Sequence, residues 1–348
     1  MSNKRLRIAQ VAPLYESVPP RYYGGTERVV SYLTEELVQQ GHEVTLFASG
    51  DSVTKAHLVA PCDRALRLDK HCVDQLAHHI LLLEEVLKKK NQFDIIHFHI
   101  DYLHFPLSRH LKIPHITTLH GRLDLPDLVP LYQEFREMPV VSISDSQREP
   151  LPWINWQGTV YHGLPKELYP FREKPQDYLA FLGRVSPEKR VDRAIHIAKR
   201  TGIKLKIAAK VDPVDQAYFE EIVKPLLKDS LVEWVGEIGE GEKDKFLGNA
   251  MALLFPIDWA EPFGLVMIEA MACGTPVIAY LNGSVREVME HGKTGFIVEG
   301  LEDAVKAVQN IPTLNRRRCR DTFEERFSAT RMAQDYLKIY ERNTKEHY

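Results

Sequence analysis

The sequence predicts an α/β fold built from two doubly wound parallel sheets, and three observations carry that prediction. Short apolar runs alternate with amphipathic stretches almost from end to end of the 348 residues. The apolar runs are near-continuous rather than alternating, as strands covered on both faces require. The pattern breaks at Leu168–Asp177 (LYPFREKPQD), which is rich in proline and charge and has no apolar period, and it restarts at Tyr178.

In chain order, the first series of strand-like runs is LRIAQVA (6–12), EVTLFAS (43–49), DIIHFH (94–99), PHITTLH (114–120) and PVVSIS (139–144). After the first of them Val30, Leu33 and Leu37 recur at helical spacing, and Gly41 supplies a natural stop. The second series is YLAFLGR (178–184), KLKIAA (204–209), LVEWVG (231–236), ALLFPI (252–257) and TPVIAY (275–280). Phe327, Met332, Tyr336, Leu337 and Tyr340 then fit one amphipathic helix. The expected domains are 1–168 and 169–325, with a terminal helix over 326–348 packing back on the first. The basic run RRRCR (316–320) reads as a solvated helix end.

Hydrophobic residues at 44% and charged residues at 27% suit a globular core. A net charge of -3 argues against broad capture of nucleic acid or anionic lipid. Cys62, Cys72, Cys273 and Cys319 lie far apart without a CxxC pair, which fits a reducing compartment. The basic N-terminus leads into an apolar run too short for a signal peptide, and no apolar stretch reaches membrane-spanning length. The cytoplasm is the expected address; peripheral membrane contact and oligomeric state stay open.

The most informative segment is EPFGLVMIEAMACGTPVIA, 261–279. Pro262, Phe263 and Gly264 form a loop, and a helix begins near Leu265. Unpaired amides at the positive end of a helix dipole seat a phosphate well, and Gly264 lets a ligand come close to the backbone. Glu261 stands before the turn and Glu269 about a turn into the helix. Carboxylates repel phosphate but bind hydroxyls well, so a sugar on one side and a ribose on the other fit the arrangement. Taken singly, each glutamate would read as a solvated side chain.

EPFGLVMIE resembles the E-x7-E motif of family 4 glycosyltransferases, retaining enzymes of the GT-B fold, in which two Rossmann-like domains face a central cleft. FLGRVSPEKR (181–190) is similar to that family's G-R-x-x-x-x-K element. APLYESVPPRYYGGTERVV (12–30) resembles its N-terminal glycine loop and first helix, TLHGRLD (118–124) its cleft histidine segment, and WVGEI (234–238) its base-binding turn.

Carried onto these positions, the resemblance implies that Arg184 and Lys189, after Gly183, clamp the donor diphosphate. It implies that Glu261 holds sugar hydroxyls while Phe263, Gly264 and Leu265 present backbone, and that Glu269 binds the ribose. Gly236 and Glu237 would lie beside the base. Gly24 and Gly25 would bring the first domain's backbone to phosphate or acceptor, and His120 would reach the transferred sugar. Fixed cations can stabilise a departing diphosphate without a metal ion, so no cofactor or metal is expected.

His120 also ends a strand-like run, at the sheet edge where α/β ligands bind. His97 and His99 share one strand face, with Asp101 and His104 nearby. A metal site there is conceivable, but polar lining around an acceptor is the expectation, with Asp101 and His99 on the acceptor side. Trp153 and Trp156 suit sugar stacking or packing equally. Lys210 is a further candidate neighbour of the nucleotide. Arg286 stands where relatives often carry proline, which reads as a surface change.

The expected activity is transfer of a hexose from a nucleoside-diphosphate sugar to an acceptor hydroxyl with retention, by front-side attack rather than through a covalent glycosyl–enzyme bond. UDP-glucose is the first expectation for the donor and GDP-mannose the second. Two alternatives share the fold: a sugar-nucleotide epimerase, which would convert the donor without an acceptor, and a non-catalytic sugar-nucleotide-binding protein, which would tolerate loss of Arg184 or Lys189.

Overall fold

The computed structural model describes residues 5–110 and 113–346. The chain divides into two compact units: residues up to Gly163 together with those from Ala329 onward, and Leu164–Ser328. The division therefore falls a few residues before the proline-rich break, and the last helix belongs to the first unit.

Among the described residues the first unit holds seven strands: β1 (Arg7–Val11), β2 (Glu43–Phe47), β3 (His57–Val59), β4 (Ile95–Phe98), β5 (His115–Thr118), β6 (Val140–Ser142) and β7 (Trp156–Thr159), in the order β3-β2-β1-β4-β5-β6-β7. The second holds six: β8 (Tyr178–Val185), β9 (Lys204–Val211), β10 (Val232–Gly236), β11 (Ala252–Phe255), β12 (Val277–Tyr280) and β13 (Gly295–Val298), in the order β10-β9-β8-β11-β12-β13. Every pairing is parallel. In each sheet the order reverses once, between β1 and β4 and between β8 and β11. Such a reversal opens a crevice at the carboxyl ends of the strands, the usual ligand position in this class.

Each sequence-predicted strand run contains an observed strand. Three strands lacked a run long or apolar enough to see: β3 (HLV), β7 (WQGT) and β13 (GFIV). All three close a sheet edge or its neighbour and take their conformation from pairing rather than from pattern.

The longer helices are α1 (Gly25–Gln39), α2 (Gln75–Lys89), α3 (Val191–Thr201), α4 (Glu240–Gly248), α5 (Leu265–Ala272), α6 (Leu301–Asn310), α7 (Arg316–Arg326) and α8 (Ala329–Glu346). The Gly41 amide closes the end of α1 by donating to the Val38 carbonyl at 3.0 Å, at a φ of 90°. Asp74 caps α2 by accepting from the Leu76 and Ala77 amides at 2.9 and 3.2 Å, a contact worth about 1 kcal/mol.

In the second unit Leu179, Ile207, Leu254 and Ile278 of the strands pack on Ile195 and Ala198 of α3 and Ala304 and Val308 of α6. In the first, Val11, Phe47 and Phe98 pack on Leu82 and Val86 of α2. Helix α8 packs on α1 and buries Tyr336 and Tyr340 completely.

One expectation is corrected here. In RRRCR only Arg317 and Arg318 are solvated; Arg316 and Arg320 are not. Arg316 donates to the carbonyls of Arg172, Ala250 and Gly248 at 2.7–2.9 Å, and Arg320 to those of Ala272 and Lys166 at 2.7 and 2.9 Å. The two guanidiniums satisfy carbonyls left open at loop and helix ends, a demand that no charge run reveals.

Candidate active site

In the second unit, both strands flanking the sheet reversal feed the candidate residues. Gly183 and Arg184 lie near the end of β8, Lys189 follows in the loop to α3, and Glu261 lies in the loop from β11 to α5. The topology alone thus brings the two cations and the first glutamate to one crevice edge.

Of these side chains, Lys189 and Glu261 touch, while Arg184 faces other partners. Lys189 and Glu261 form an ion pair, with exposures of only 18% and 11%. The Trp259 indole N–H donates to the same carboxylate at 3.0 Å, and the lysine ammonium lies over the Trp259 ring, 5.1 Å from its centroid. Arg184 has three carboxylates around it, Glu188 and Asp215 at 3.6 Å and Asp212 at 3.8 Å. None is close enough for a hydrogen bond, and Arg184 Nε and Asp215 Oδ2 are buried without partners. Arg184 is thus held in a loose ring of acids with no hydrogen bond to any of them. Lys210, by contrast, pairs with Asp212 at 3.0 Å.

Helix α5 begins at Leu265 as expected, preceded by Gly264 at a φ of 79°. A side chain at Gly264 would sit in left-handed backbone and would press on Met267 Cε at 2.8 Å and Phe255 Cζ at 3.1 Å. Phe263 is buried, and its carbonyl accepts from the Ser284 hydroxyl at 2.8 Å, which fixes the turn. Glu269, within the helix, pairs with Lys243 of α4 at 2.8 Å, and Lys243 also reaches Glu240 at 3.2 Å. Gly236 ends β10 at a φ of 87°, followed by exposed Glu237.

Lys243, Asp212, Asp215 and Trp259 were not singled out from sequence. Lys243 sits in the charged helix GEGEKDKFLG, where nothing in the pattern separates it from its neighbours.

In the first unit the loop after β1 ends at Gly24, where an added Cβ would lie 2.8 Å from the Pro20 ring, and Gly25 opens α1 exposed. Close packing against Pro20 and Glu16 demands glycine at position 24. Glu27 in the first turn of α1 is buried, and burial pushes its carboxyl up to about 7.

His120 follows β5, and burial lowers its imidazole to about 3. Its Nε2 lies 2.9 Å from His99 Nδ1, and its ring stacks on His162 at 5.4 Å. His99 differs from expectation. It is 2% exposed, and both ring nitrogens are engaged, with His120 and with Gln10 Oε1 at 2.8 Å. It therefore has no nitrogen left for an acceptor; Asp101, beside the His120 amide, keeps solvent access. His97 is fully buried between Thr118 and Tyr340 and lines nothing. Among the described residues no group of three histidine, cysteine or acidic side chains is arranged to hold a metal, and no helix is long and apolar enough to cross a membrane.

Two parallel-sheet units, each reversing its strand order once, make up the GT-B fold of glycosyltransferases. Comparison with known proteins agrees. The family described as "Glycosyl transferases group 1" matches residues 169–324, and "Glycosyltransferase Family 4" matches residues 23–156. The chain belongs to the family 4-like glycosyltransferases.

It is similar to N-acetyl-alpha-D-glucosaminyl L-malate synthase of Bacillus anthracis, at 26% identity over 91% of this chain and 93% of that one. It is also similar to glycogen synthase of Mycobacterium tuberculosis, at 26% identity over 95% and 94%. Among solved structures, a glycosyltransferase of avilamycin A biosynthesis superposes with a TM-score of 0.76 at 23% identity, covering 98% of each chain. HepE of Anabaena, solved in complex with UDP-glucose, superposes with a TM-score of 0.74 at 14% identity, covering 97% of this chain and 100% of that one. At those identities the structural likeness is one of fold.

Proposed function

We propose that this glycosyltransferase moves a hexose from a nucleoside diphosphate to an acceptor hydroxyl, retaining anomeric configuration and needing no metal ion. One observation carries the reading: the turn at Gly264 is flanked by two carboxylates, Glu261 and Glu269, each held by its own lysine. A diphosphate seated on the amides at the start of α5 draws Lys189 to itself and frees Glu261 to accept hydrogen bonds from sugar hydroxyls. Glu269, held by Lys243, takes the ribose hydroxyls, and Gly236 and Glu237 lie beside the base.

The bond from the anomeric carbon to the phosphate oxygen breaks with its electron pair going to the phosphate. Arg184 and Lys189 stabilise that charge. The acceptor oxygen attacks the same face, and its proton passes to the departing phosphate. His120 meets the transferred sugar, Gly24 and Gly25 approach phosphate or acceptor through their backbone, and Asp101 serves the acceptor side. The donor is UDP-glucose, with GDP-mannose as the second candidate; a similar fold is solved with UDP-glucose. The protein works in the cytoplasm.

The test is a matrix of nucleotide sugars against acceptor pools, read by mass spectrometry for an added hexose, with nucleoside-diphosphate binding measured alongside by calorimetry. Hexose transfer with a product of donor-like anomeric configuration supports the reading. Conversion of the donor alone into a different sugar nucleotide would make the protein an epimerase, and a glycosyl adduct trapped on any carboxylate would overturn front-side attack.

A further inference from the structure

Seven side chains in the first unit form one unbranched hydrogen-bonded chain. Gln10 of β1 stands at its middle, 0% exposed. Its amide nitrogen donates to the Tyr340 hydroxyl at 3.0 Å. That oxygen lies 2.8 Å from His97 Nδ1, and having accepted from Gln10 it donates its own O–H to that nitrogen. His97 is then protonated on Nε2 and donates to Thr118 Oγ1 at 2.7 Å, and Thr118 donates to the Tyr336 hydroxyl at 2.9 Å.

The other arm leads to the candidate site. Gln10 Oε1 can only accept, so His99 Nε2, 2.8 Å away, carries a proton. Burial holds His99 and His120 neutral, lowering both imidazoles far below their ordinary value. Neutral His99 therefore has a bare Nδ1, and the proton in its 2.9 Å contact with His120 belongs to His120 Nε2. His120 Nδ1 is left bare as well, and it is buried with no hydrogen-bond partner. The order leaves two open ends, the Tyr336 hydroxyl proton and the His120 Nδ1 lone pair.

We propose that Gln10 is a positioning residue which, through His99, fixes the proton of His120 on Nε2 and presents Nδ1 as an acceptor only. The amide is the polar element of the chain: its oxygen faces the histidine arm and its nitrogen faces the tyrosine arm. An acceptor-only nitrogen recognises a hydroxyl that donates and gains nothing from an ether, a fluorine or a missing group at the same place. The specificity consequence rests on the reading that His120 meets the transferred sugar. The tautomer assignment does not.

The experiment uses the full chain labelled with 15N-histidine, in which long-range nitrogen–proton correlations report which ring nitrogen of each histidine is protonated; His120→Asn identifies the His120 signal. Wild type is expected to show His120 as a single tautomer protonated on Nε2. Gln10→Glu keeps an acceptor towards His99 and should keep that tautomer. Gln10→Met offers neither donor nor acceptor and should give a mixture.

A wild-type His120 protonated on Nδ1, or an unchanged single tautomer in Gln10→Met, overturns the proposal. Should Gln10→Met not fold, the wild-type spectrum still decides. A transfer assay on the same variants separates the two readings. If the tautomers behave as stated and His120→Asn transfers hexose at the wild-type rate, the assignment stands and the role of His120 in sugar binding falls.

Discussion

Lys243→Met should destabilise the second unit far more than an exposed lysine would, because it strands a buried carboxylate. Glu269 is 4% exposed at its side chain, Lys243 13%, and their contact is 2.8 Å. Removing one partner of such a pair typically costs about 3–5 kcal/mol. The upper end is capped, since an ordinary glutamate at pH 7 can take up a proton for about 3.7 kcal/mol. Glu240 also loses its lysine, but it keeps the Tyr169 hydroxyl as a donor. The net expectation is about 3–4 kcal/mol, which for a unit of this size lowers the melting temperature by roughly 6–15 °C. The assay is thermal unfolding of Lys243→Met, Glu269→Gln and the double variant, with and without a nucleoside diphosphate. The double variant removes both charges and should recover most of the loss, while binding the nucleotide poorly. A melting point for Lys243→Met within about 2 °C of wild type, or a double variant as unstable as the single, would refute the assignment of Lys243 as the holder of Glu269.

Arg184→Ala and Lys189→Ala should each lower kcat by about 10²–10³ with the fold intact, which steady-state kinetics beside circular dichroism will check. Gly264→Ala forces a side chain into left-handed backbone and against Met267 and Phe255; a loss of about 2–4 kcal/mol is expected in urea unfolding, together with weakened diphosphate binding. Stability should also fall as pH drops below about 6.5. Burial holds His97, His99, His104, His120 and His162 below the ordinary value, so the unfolded chain takes up protons there that the folded chain refuses. Each contributes about 1.4 kcal/mol per pH unit. Glu27, raised to about 7 by burial, acts in the opposite sense but is one group against five. Urea midpoints that stay flat or rise from pH 7 to pH 5.5 would contradict this.

The legible parts of the sequence were those where one residue type has one physical use. Near-continuous apolar runs read as covered parallel strands, and Gly264 before an apolar helix read as the turn it is. Partnership was not legible. Lys189 and Glu261 are distant in sequence, and nothing in either segment says that they bond until β8 and β11 are seen to be neighbours. Lys243 has the same difficulty, as a lysine among alternating charges. Burial of polar groups was the second blind spot. HFH on a strand reads as lining, because the tyrosines that enclose His97 come from a helix at the other end of the chain. Arg316 and Arg320 of RRRCR looked solvated because the carbonyls they meet belong to several separate loops.

That distant origin of the tyrosines bears on biosynthesis. The ribosome delivers Tyr336 and Tyr340 only after all of Leu164–Ser328 has been made, so Gln10, His97 and Thr118 wait through that interval without their hydroxyl partners. An N-terminal fragment ending at Gly163 would carry the first sheet with its polar interior half paired. To be expressed as a free-standing domain it would need the segment from Ala329 onward restored, through a linker or as an added peptide.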